Sequence, residues 1–225
     1  MSSDPLNPQP AQSRLAAIQA QLPAGCRLLA VSKGQPASAI RGLVAAGQRS
    51  FAESRLQEAV AKQQELADLP PLDWHFIGRL QANKVRPVLR SFSTIHSLDS
   101  LALAERLARI AAEEQCVPQV LMQVKLRPDP SKGGFEPQEL RQAWSRLQQL
   151  QPLRITGLMT MAPLGLEPEQ RRILFQDCAA LAGELGLREL SMGMSGDWPE
   201  AAAAGSTWVR IGSALFGERQ SPAPL

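Results

Sequence analysis

The chain has 225 residues, an apolar fraction of 44% and a formal net charge of +3. This length and composition suit a globular protein with a sizeable core, in one large domain or two small ones. The basic residues are scattered over predicted helices, so no nucleic-acid-binding surface is expected. The longest apolar runs are too short to span a bilayer, and MSSDPLNPQP lacks the regions of a signal peptide. The expected location is the cytoplasm.

The predicted elements begin after a Pro- and Asn-rich leader, residues 1–10, which is expected to be disordered, as is the tail at 220–225. Residues 11–22 predict a preliminary helix. Eight β-like runs follow, which are RLLAVS, RSFAE, DWHFIG, STIHSL, QVLMQVKL, RITGLMTM, RELSMG and TWVRIG. Helix-like segments lie between most of them, which are ASAIRGLVAAG, LQEAVAKQQELA, ANKVRPVLRS, LALAERLARIAAEEQ, PQELRQAWSRLQQL and PEQRRILFQDCAALAGELG.

This alternation predicts an α/β fold, a single (β/α)8 TIM-type barrel over residues 11–219. The barrel is expected to carry an extra N-terminal helix and no C-terminal β domain. Several strands are almost continuously apolar, as parallel strands covered on both faces should be. The alternative is an open doubly wound sheet. That fold predicts a Gly-rich turn after the first strand, where this chain has Ser32, Lys33 and Gly34.

Several common functional signatures are missing from the sequence. Its cysteines (Cys26, Cys116 and Cys178) are widely spaced, and its two histidines (His75 and His96) form no HExxH motif. The sequence therefore predicts neither a disulfide framework nor a metal site. Neither GxxxxGK[ST] nor GxGxxG occurs, so the two common nucleotide-binding signatures are absent. The chain also contains no tyrosine.

In such a barrel the functional site lies at the C-terminal ends of the strands. Those ends carry mostly polar residues or glycine, which are Lys33, Glu53, Ser54, Gly78, Ser97, Lys125, Met161, Ser195, Arg210, Gly212 and Ser213. Strand ends also approach water in any fold. That structural interpretation is preferred for Glu53, Ser97 and Lys125.

The loops after the seventh and eighth strands, SMGMSGD and RIGSALFG, predict a phosphate site. Barrels commonly bind phosphate there, with loop amides and a helix N-terminus. The glycines (Gly193, Gly196 and Gly212) permit close backbone approach, while Ser195 and Ser213 supply hydroxyls. Alternatively, Ser195 and Asp197 cap the next helix, with Glu200 completing a capping box. The two interpretations are compatible, because a helix start is also an anion site.

Lys33 follows the buried run LLAVS, where an ammonium is costly unless it is paired or neutral. It either reaches water at the rim or forms a Schiff base, helped by desolvation and a nearby arginine that lower the pKa of its amine. A lysine facing a phosphate site predicts a phosphorylated aldehyde as ligand. Both pyridoxal phosphate (PLP) and a class I aldolase substrate fit that description. Arg210, which has only donors, would keep a pyridine nitrogen unprotonated, or it contacts a phosphate or carboxylate at the rim.

The motifs LLAVSKG, FAESRLQEA, WHFIGRLQANK, IHSLDS, GLMTMAP, LSMGMSGD and VRIGSALFGER resemble those of the PLP homeostasis proteins. These are single-domain relatives of the alanine racemase N-terminal barrel. The resemblance covers residues 26–219 in the family's order and implies a fold-type III PLP barrel. It implies Lys33 as the lysine that holds PLP as an internal aldimine, and Arg210 opposite the pyridine nitrogen. The implied phosphate cradle is Ser195, Gly212 and Ser213. The implied further contacts to the cofactor are Ser54, His75, Met159, Met192 and Gly193.

The sequence departs from the family pattern at two strand ends. FAESRLQEA has Ala52 and Ser54 where the family usually shows glycine and asparagine. The shorter Ser54 would reach the 3′-oxygen side of the ring through water or not at all. QVKL carries Lys125 where asparagine is usual, and its role is open.

The resemblance implies a role in intracellular PLP (vitamin B6) and amino-acid homeostasis, with no established catalytic reaction. The residues agree, because alanine racemases need a tyrosine as a second base and this chain has none. The expected partners are PLP and PLP-dependent apo-enzymes, and the expected state is a monomer. Two alternatives stay open, a PLP-dependent amino-acid racemase of low activity and a Schiff-base aldolase.

Overall fold

The computed structural model describes residues 8–217. Its strands are β1 (Arg27–Val31), β2 (Ser50–Glu53), β3 (Asp73–Phe76), β4 (Thr94–Leu98), β5 (Gln119–Gln123), β6 (Arg154–Met159), β7 (Glu189–Ser191) and β8 (Trp208–Ile211). Its α-helices are α1 (Pro8–Gln19), α2 (Ala37–Ala45), α3 (Leu56–Glu65), α4 (Val85–Ser91), α5 (Leu101–Glu113), α6 (Pro137–Leu147), α7 (Pro168–Glu184), α8 (Trp198–Ala203) and α9 (Ser213–Phe216). A 3-10 turn at Ala82–Lys84 precedes α4.

The strands pair in chain order and close on themselves, since β1 pairs with both β2 and β8. Every pairing is parallel. The predicted (β/α)8 barrel with an extra N-terminal helix is therefore confirmed. The open doubly wound alternative is wrong, because an open sheet would leave two edge strands where β1 and β8 instead share four residue pairs.

Alternation along the strands separates two apolar layers. Leu28 and Ala30 of β1 face the helices and belong to the large core between sheet and helices. Leu29 and Val31 face the barrel interior, where they form a small cluster with Trp208 and its neighbours. Both faces of each strand are therefore covered, which explains the continuous apolar runs in the sequence. Polar side chains that point inward are enclosed by the barrel.

The element boundaries differ from the predictions at a few places. Helix α1 already begins at Pro8, inside the segment expected to be a disordered leader. Residues 1–7, and the tail at 220–225, lie outside the described residues. Strand β5 ends at Gln123, earlier than predicted, and Val124 forms an isolated bridge with Phe135.

Residues 8–217 show neither a membrane-spanning helix nor a metal-binding cluster. None of the helices described there is long and apolar enough to cross a membrane. No cluster of three or more His, Cys, Asp or Glu side chains suited to a metal ion occurs in the same part of the chain.

Gly157 of β6 is expected to tolerate no side chain. A Cβ atom built there would lie 1.9 Å from the carbonyl oxygen of its strand partner, Glu189. Because that oxygen belongs to the backbone of β7, the two strands would have to separate. We expect Gly157→Ala to lower the free energy of unfolding by about 3 kcal/mol, the upper part of the range for overpacked sites.

The matched control is Gly183→Ala in α7, where an added Cβ meets nothing within 4 Å. This variant is expected to gain up to about 1 kcal/mol, since alanine is the better helix former. Urea denaturation of both variants checks the pair. Equal stability of the two would contradict the steric reason.

Candidate functional site

A cavity of about 230 Å³ opens at the C-terminal ends of the strands. Its size suits a single substituted ring, since pockets for drug-sized ligands span roughly 300–1,000 Å³. The lining residues are Val31, Lys33, Gln35, Ile77, Met159, Met161, Met194, Ser195, Arg210, Gly212, Ser213 and Gly217. The first strand and the last three strands thus meet in one site, as the barrel closure requires.

Lys33 stands two residues beyond the end of β1 and is half-buried in the lining. The backbone on both sides of it is held by the neighbouring α3. The Ser32 carbonyl accepts a bond of 2.7 Å from Lys62 Nζ, and the Gly34 N–H donates to the Glu58 carboxylate. Gly34 has φ +73°, a left-handed conformation that favours glycine. The turn that presents the Lys33 amine is therefore fixed from outside the cavity.

Lys62 and Glu58 of α3 also form a charged cluster with Glu53 of β2. Lys62 Nζ lies 2.7 Å from Glu53 Oε1 and 2.6 Å from Glu58 Oε1, and Ser32 Oγ donates to Glu53 Oε1 at 2.7 Å. Burial raises the pKa of the Glu53 carboxyl, although the bonds from Lys62 and Ser32 oppose it. The strand-end interpretation, under which Glu53 approaches water, is wrong, because its side chain is fully buried.

Ser195 links the two loops that predicted a phosphate site. Its Oγ accepts the N–H of Gly212 at 3.3 Å and of Ala214 at 3.2 Å, at the start of α9. The loops after β7 and β8 are thereby joined beside the cavity. The hydroxyls of Ser195 and Ser213 offer donors to an anion at this place, while the Gly212 and Ala214 amides already bond to Ser195 Oγ.

The alternative capping box at α8 is wrong. Asp197 precedes α8, but its Oδ1 accepts the N–H of Met194, outside the helix, at 2.6 Å. Glu200 pairs with Arg171 of α7 instead of bonding back to the helix start. The Ser195 hydroxyl reaches across to the β8 loop and does not cap α8.

Arg210 of β8 is a buried cation at the floor of the cavity. Its Nη1 donates to the Ser191 carbonyl at 2.5 Å and to the Ser191 hydroxyl at 2.7 Å, and its Nη2 donates to the Thr160 carbonyl at 2.9 Å. These bonds engage up to three of the five N–H donors of a guanidinium, which leaves donors for a ligand. Burial lowers the pKa of Arg210 to about 10, so it stays protonated at neutral pH.

The cavity lining brings together most of the predicted site residues, which are Lys33, Met159, Ser195, Arg210, Gly212 and Ser213. The remaining ones lie elsewhere in the described part of the chain. His75 points into the barrel and bonds to Asp73 and His96, and Met192 is fully buried in the helix-facing core. A Cβ on Gly193 would meet Ala201 of α8 at 2.6 Å, so that glycine serves packing.

Ser54, the last of these, follows β2 and packs by its backbone. A Cβ on Gly78 would lie 2.1 Å from the Ser54 carbonyl oxygen, so the two loops are in close contact at the mouth. Neither Ser54 nor Gly78 is part of the cavity lining. Whether the Ser54 hydroxyl approaches a ligand therefore stays a prediction.

Sequence reasoning assigned no cofactor contact to part of the lining. Met161 and Met194 lie in the motifs GLMTMAP and LSMGMSGD, and Met161 stands at a predicted strand end. Their place in these motifs was the sequence feature that could have assigned them to the site. Gln35, Ile77 and Gly217 lie in loops, where no periodic pattern distinguishes inward from outward positions.

The strand-end interpretation also applied to Lys125 and Ser97. Lys125 pairs with Glu136 at 2.8 Å on a partly exposed surface, in agreement with the structural interpretation. Ser97 is buried, so an approach to water is wrong for this residue as it is for Glu53, and its hydroxyl has no hydrogen-bond partner among residues 8–217. An open groove of about 730 Å³ beside the mouth, lined by residues such as Arg79 and Arg106, includes none of the predicted site residues.

The fold and the site define the class of this protein, a single (β/α)8 barrel whose mouth combines a lysine, a buried arginine and two loops joined by Ser195. The sequence profile of the alanine racemase N-terminal domain matches residues 7–220. A protein of Synechocystis sp. named pyridoxal phosphate homeostasis protein is 49% identical over 208 residues, which cover 90% of this chain and 95% of that protein. The chain belongs to the family of PLP homeostasis proteins.

The solved structures of PipY from Synechococcus elongatus PCC7942 agree with this assignment. PipY with PLP bound is 51% identical with a TM-score of 0.89, and the match covers 92% of this chain and 100% of PipY. PipY without PLP gives 52% identity and a TM-score of 0.90 over the same shares of both chains.

Proposed function

We propose that this chain binds PLP in the cavity and serves PLP (vitamin B6) and amino-acid homeostasis in the cytoplasm as a monomer. The observation that carries the proposal is that Lys33, Arg210 and Ser195 line one cavity of about 230 Å³. An amine, a donor-only cation and an anion-binding loop are the groups that an aromatic aldehyde phosphate requires. The PLP-bound structure of PipY supports the choice of this aldehyde.

The residues of the cavity divide the binding of PLP between them. When bound, PLP supplies an aldehyde that condenses with amines and a ring that stabilises carbanions. Lys33 provides the amine, on a turn fixed by Glu58 and Lys62. Ser195 and Ser213, with the start of α9, bind the phosphate. Met159, Met161 and Met194 supply the apolar walls that contact the ring and exclude water.

Arg210 determines the protonation state of the pyridine nitrogen of PLP. It stays protonated at neutral pH, with its pKa lowered to about 10 by burial, and a guanidinium only donates hydrogen bonds. It therefore offers the nitrogen a hydrogen bond and transfers no proton to it. An unprotonated ring withdraws electrons weakly, which favours holding the cofactor over reactions at a substrate carbon.

The proposed role is retention of PLP and its supply to PLP-dependent apo-enzymes. The expected test is transfer of PLP to an apo-enzyme, compared with free PLP at matched concentration. Transfer no faster than release into buffer would leave storage as the role. A racemase of low activity is the alternative, and sustained racemisation of an amino acid that Lys33→Ala abolishes would favour it.

Binding itself is tested by titrating the purified protein with PLP and following the near-visible absorption band. Borohydride then reduces the adduct, and peptide mapping locates it among the five lysines of the chain. We expect the label on Lys33. A label on another lysine, or a protein that stays colourless and unlabelled, would refute the proposal.

Ser195→Ala is expected to weaken PLP binding about 10- to 100-fold, the effect of removing one hydrogen bond to a charged group. The variant loses the hydroxyl beside the phosphate site and the acceptor for the Gly212 and Ala214 amides. Pyridoxal, which lacks the phosphate, is the matched control ligand. Its affinity should be unchanged, and equal losses for both ligands would contradict a phosphate contact.

A further inference from the structure

A chain of four hydrogen bonds crosses the barrel interior and ends at the cavity. Asp73 Oδ2 lies 2.6 Å from His75 Nε2, and His75 Nδ1 lies 2.8 Å from His96 Nε2. His96 Nδ1 lies 2.8 Å from Ser191 Oγ, which accepts from Arg210 Nη1 at 2.7 Å. We call these five residues the His–His chain. It starts at the N-terminal end of β3, where the Asp73 side chain is 42% exposed, and its other members are buried.

The hydrogen bonds of the His–His chain run in a defined direction. Burial raises the pKa of Asp73, but bonds from His75, Ser93 and Ser50 outweigh it, so the pKa lies below its usual value. Asp73 is thus a carboxylate at neutral pH and only accepts, and His75 Nε2 must carry a proton. At the other end, the Arg210 guanidinium only donates. Ser191 Oγ receives that bond and keeps its own proton to give.

The Ser191 hydroxyl proton settles the state of both imidazoles. His96 Nδ1 is the acceptor within reach of it, since the hydrogen-bond partners of Ser191 Oγ among residues 8–217 are His96 and Arg210. His96 Nδ1 therefore carries no proton, and His96 Nε2–H donates to His75 Nδ1. Burial, helped by the nearby Arg210 cation, holds the pKa of His96 well below its usual range, which agrees with a neutral ring. Both histidines are then neutral with the proton on Nε2.

We propose that the His–His chain positions Arg210, so that the Asp73 carboxylate at the opposite face of the barrel fixes the orientation of the guanidinium at the cavity floor. His75 and His96 are positioning residues, because they reach the cavity only through Ser191 and Arg210. The ligand readout below rests on the proposed binding of PLP. The orientation of Arg210 can be measured without it.

The tautomers are measured by nitrogen NMR of protein labelled in histidine, since the chain contains only two imidazoles. We expect both rings as the Nε2–H tautomer at pH 7.5. An Nδ1–H tautomer at His96 would overturn the proposal, because the hydrogen bonds would then run toward Ser191.

The influence of residue 73 on Arg210 through the His–His chain is tested with Asp73→Asn. The amide of this variant either donates to His75 or accepts from it. We expect altered His96 signals and an altered Arg210 Nε–H signal, assigned with Arg210→Lys, although residue 73 contacts neither side chain. PLP affinity should fall about 2- to 30-fold, the span of couplings carried by hydrogen-bonded networks. Ser93→Ala is the matched control, because it removes the bond to Asp73 Oδ1 and leaves Oδ2 on His75.

The outcomes separate this proposal from the one on which it rests. Unchanged His96 and Arg210 signals in Asp73→Asn overturn the positioning, and so does an Asp73→Asn protein with wild-type PLP affinity when wild type binds PLP. An equal effect of Ser93→Ala also overturns the proposed positioning of Arg210, since Ser93 lies outside the His–His chain. If wild type binds no PLP, the proposed function fails while the Arg210 signal still decides the positioning.

Discussion

Lys33→Ala is expected to abolish covalent attachment of PLP, so that borohydride traps no label and the near-visible band is lost. Among residues 8–217, Lys33 is the only lysine in the cavity lining, and alanine offers no amine to the aldehyde. The fold should persist, because the side chain is half-buried at the mouth and outside the core. A substitution of this kind changes the melting temperature by about 2 °C or less.

The matched control is Lys125→Ala, which also removes a lysine from a strand end. Lys125 pairs with Glu136 on the surface and lies outside the cavity lining. We expect this variant to keep the band and the label at wild-type level. A yellow, borohydride-reducible Lys33→Ala protein would place the reactive amine on another lysine, and loss of the label in Lys125→Ala would give that residue a role in binding.

The architecture could be predicted because parallel strands covered on both faces leave a simple pattern. RLLAVS predicted a strand that runs from Arg27 to Val31, and the lysine two residues later lies in the cavity as predicted. Closure of the barrel brings the loop at Ser195 and the end of β8 at Arg210 to the same mouth. These inferences need only strand order and direction, and both can be read from the alternation of elements.

The remainder of the site depends on contacts that no local pattern encodes. His75 and Met192 lie within a few residues of strand ends, but the pleat sends one into the barrel and the other toward the helices. The Ser195 hydroxyl joins a loop 17 residues away, and it looked locally like a helix cap. The path from Asp73 to Arg210 needs the register of four strands. Predicting it requires three-dimensional coordinates.

Lys62→Met is expected to cost about 3–5 kcal/mol of unfolding free energy, the usual result of removing one partner from a buried ion pair. Lys62 Nζ donates to Glu53 at 2.7 Å, and the two side chains are 7% and 0% exposed. Methionine leaves the Glu53 carboxylate without a cation. The melting temperature should fall by about 10 °C for a chain of this length.

The loss should depend on pH in a defined direction. Burial already raises the pKa of Glu53, and the variant lacks the Lys62 bond that opposes it. A carboxyl whose pKa is raised on folding contributes stability below its unfolded pKa, about 4.5, and loses it as pH rises through the folded pKa. Urea denaturation should therefore show a smaller difference between Lys62→Met and wild type at pH 5 than at pH 8.

A double variant separates the charge from the packing. Glu53→Gln together with Lys62→Met removes the buried carboxylate, so we expect it to recover part of the stability lost in Lys62→Met and to lose the pH dependence. Strictly additive losses would contradict the ion pair as the cause, since coupled residues deviate from additivity by 0.5–3 kcal/mol in double-mutant cycles.

Lys62→Met should also slow the capture of PLP, because Lys62 and Glu58 hold the backbone on both sides of Lys33. The Ser32 carbonyl loses its bond to Lys62, and Glu58, which accepts the Gly34 N–H, loses its cation. Stopped-flow absorption at saturating PLP measures the rate. A wild-type rate in a folded Lys62→Met protein would restrict the cluster to stability. A slowed rate that the double variant does not restore would show that the cluster also presents the amine.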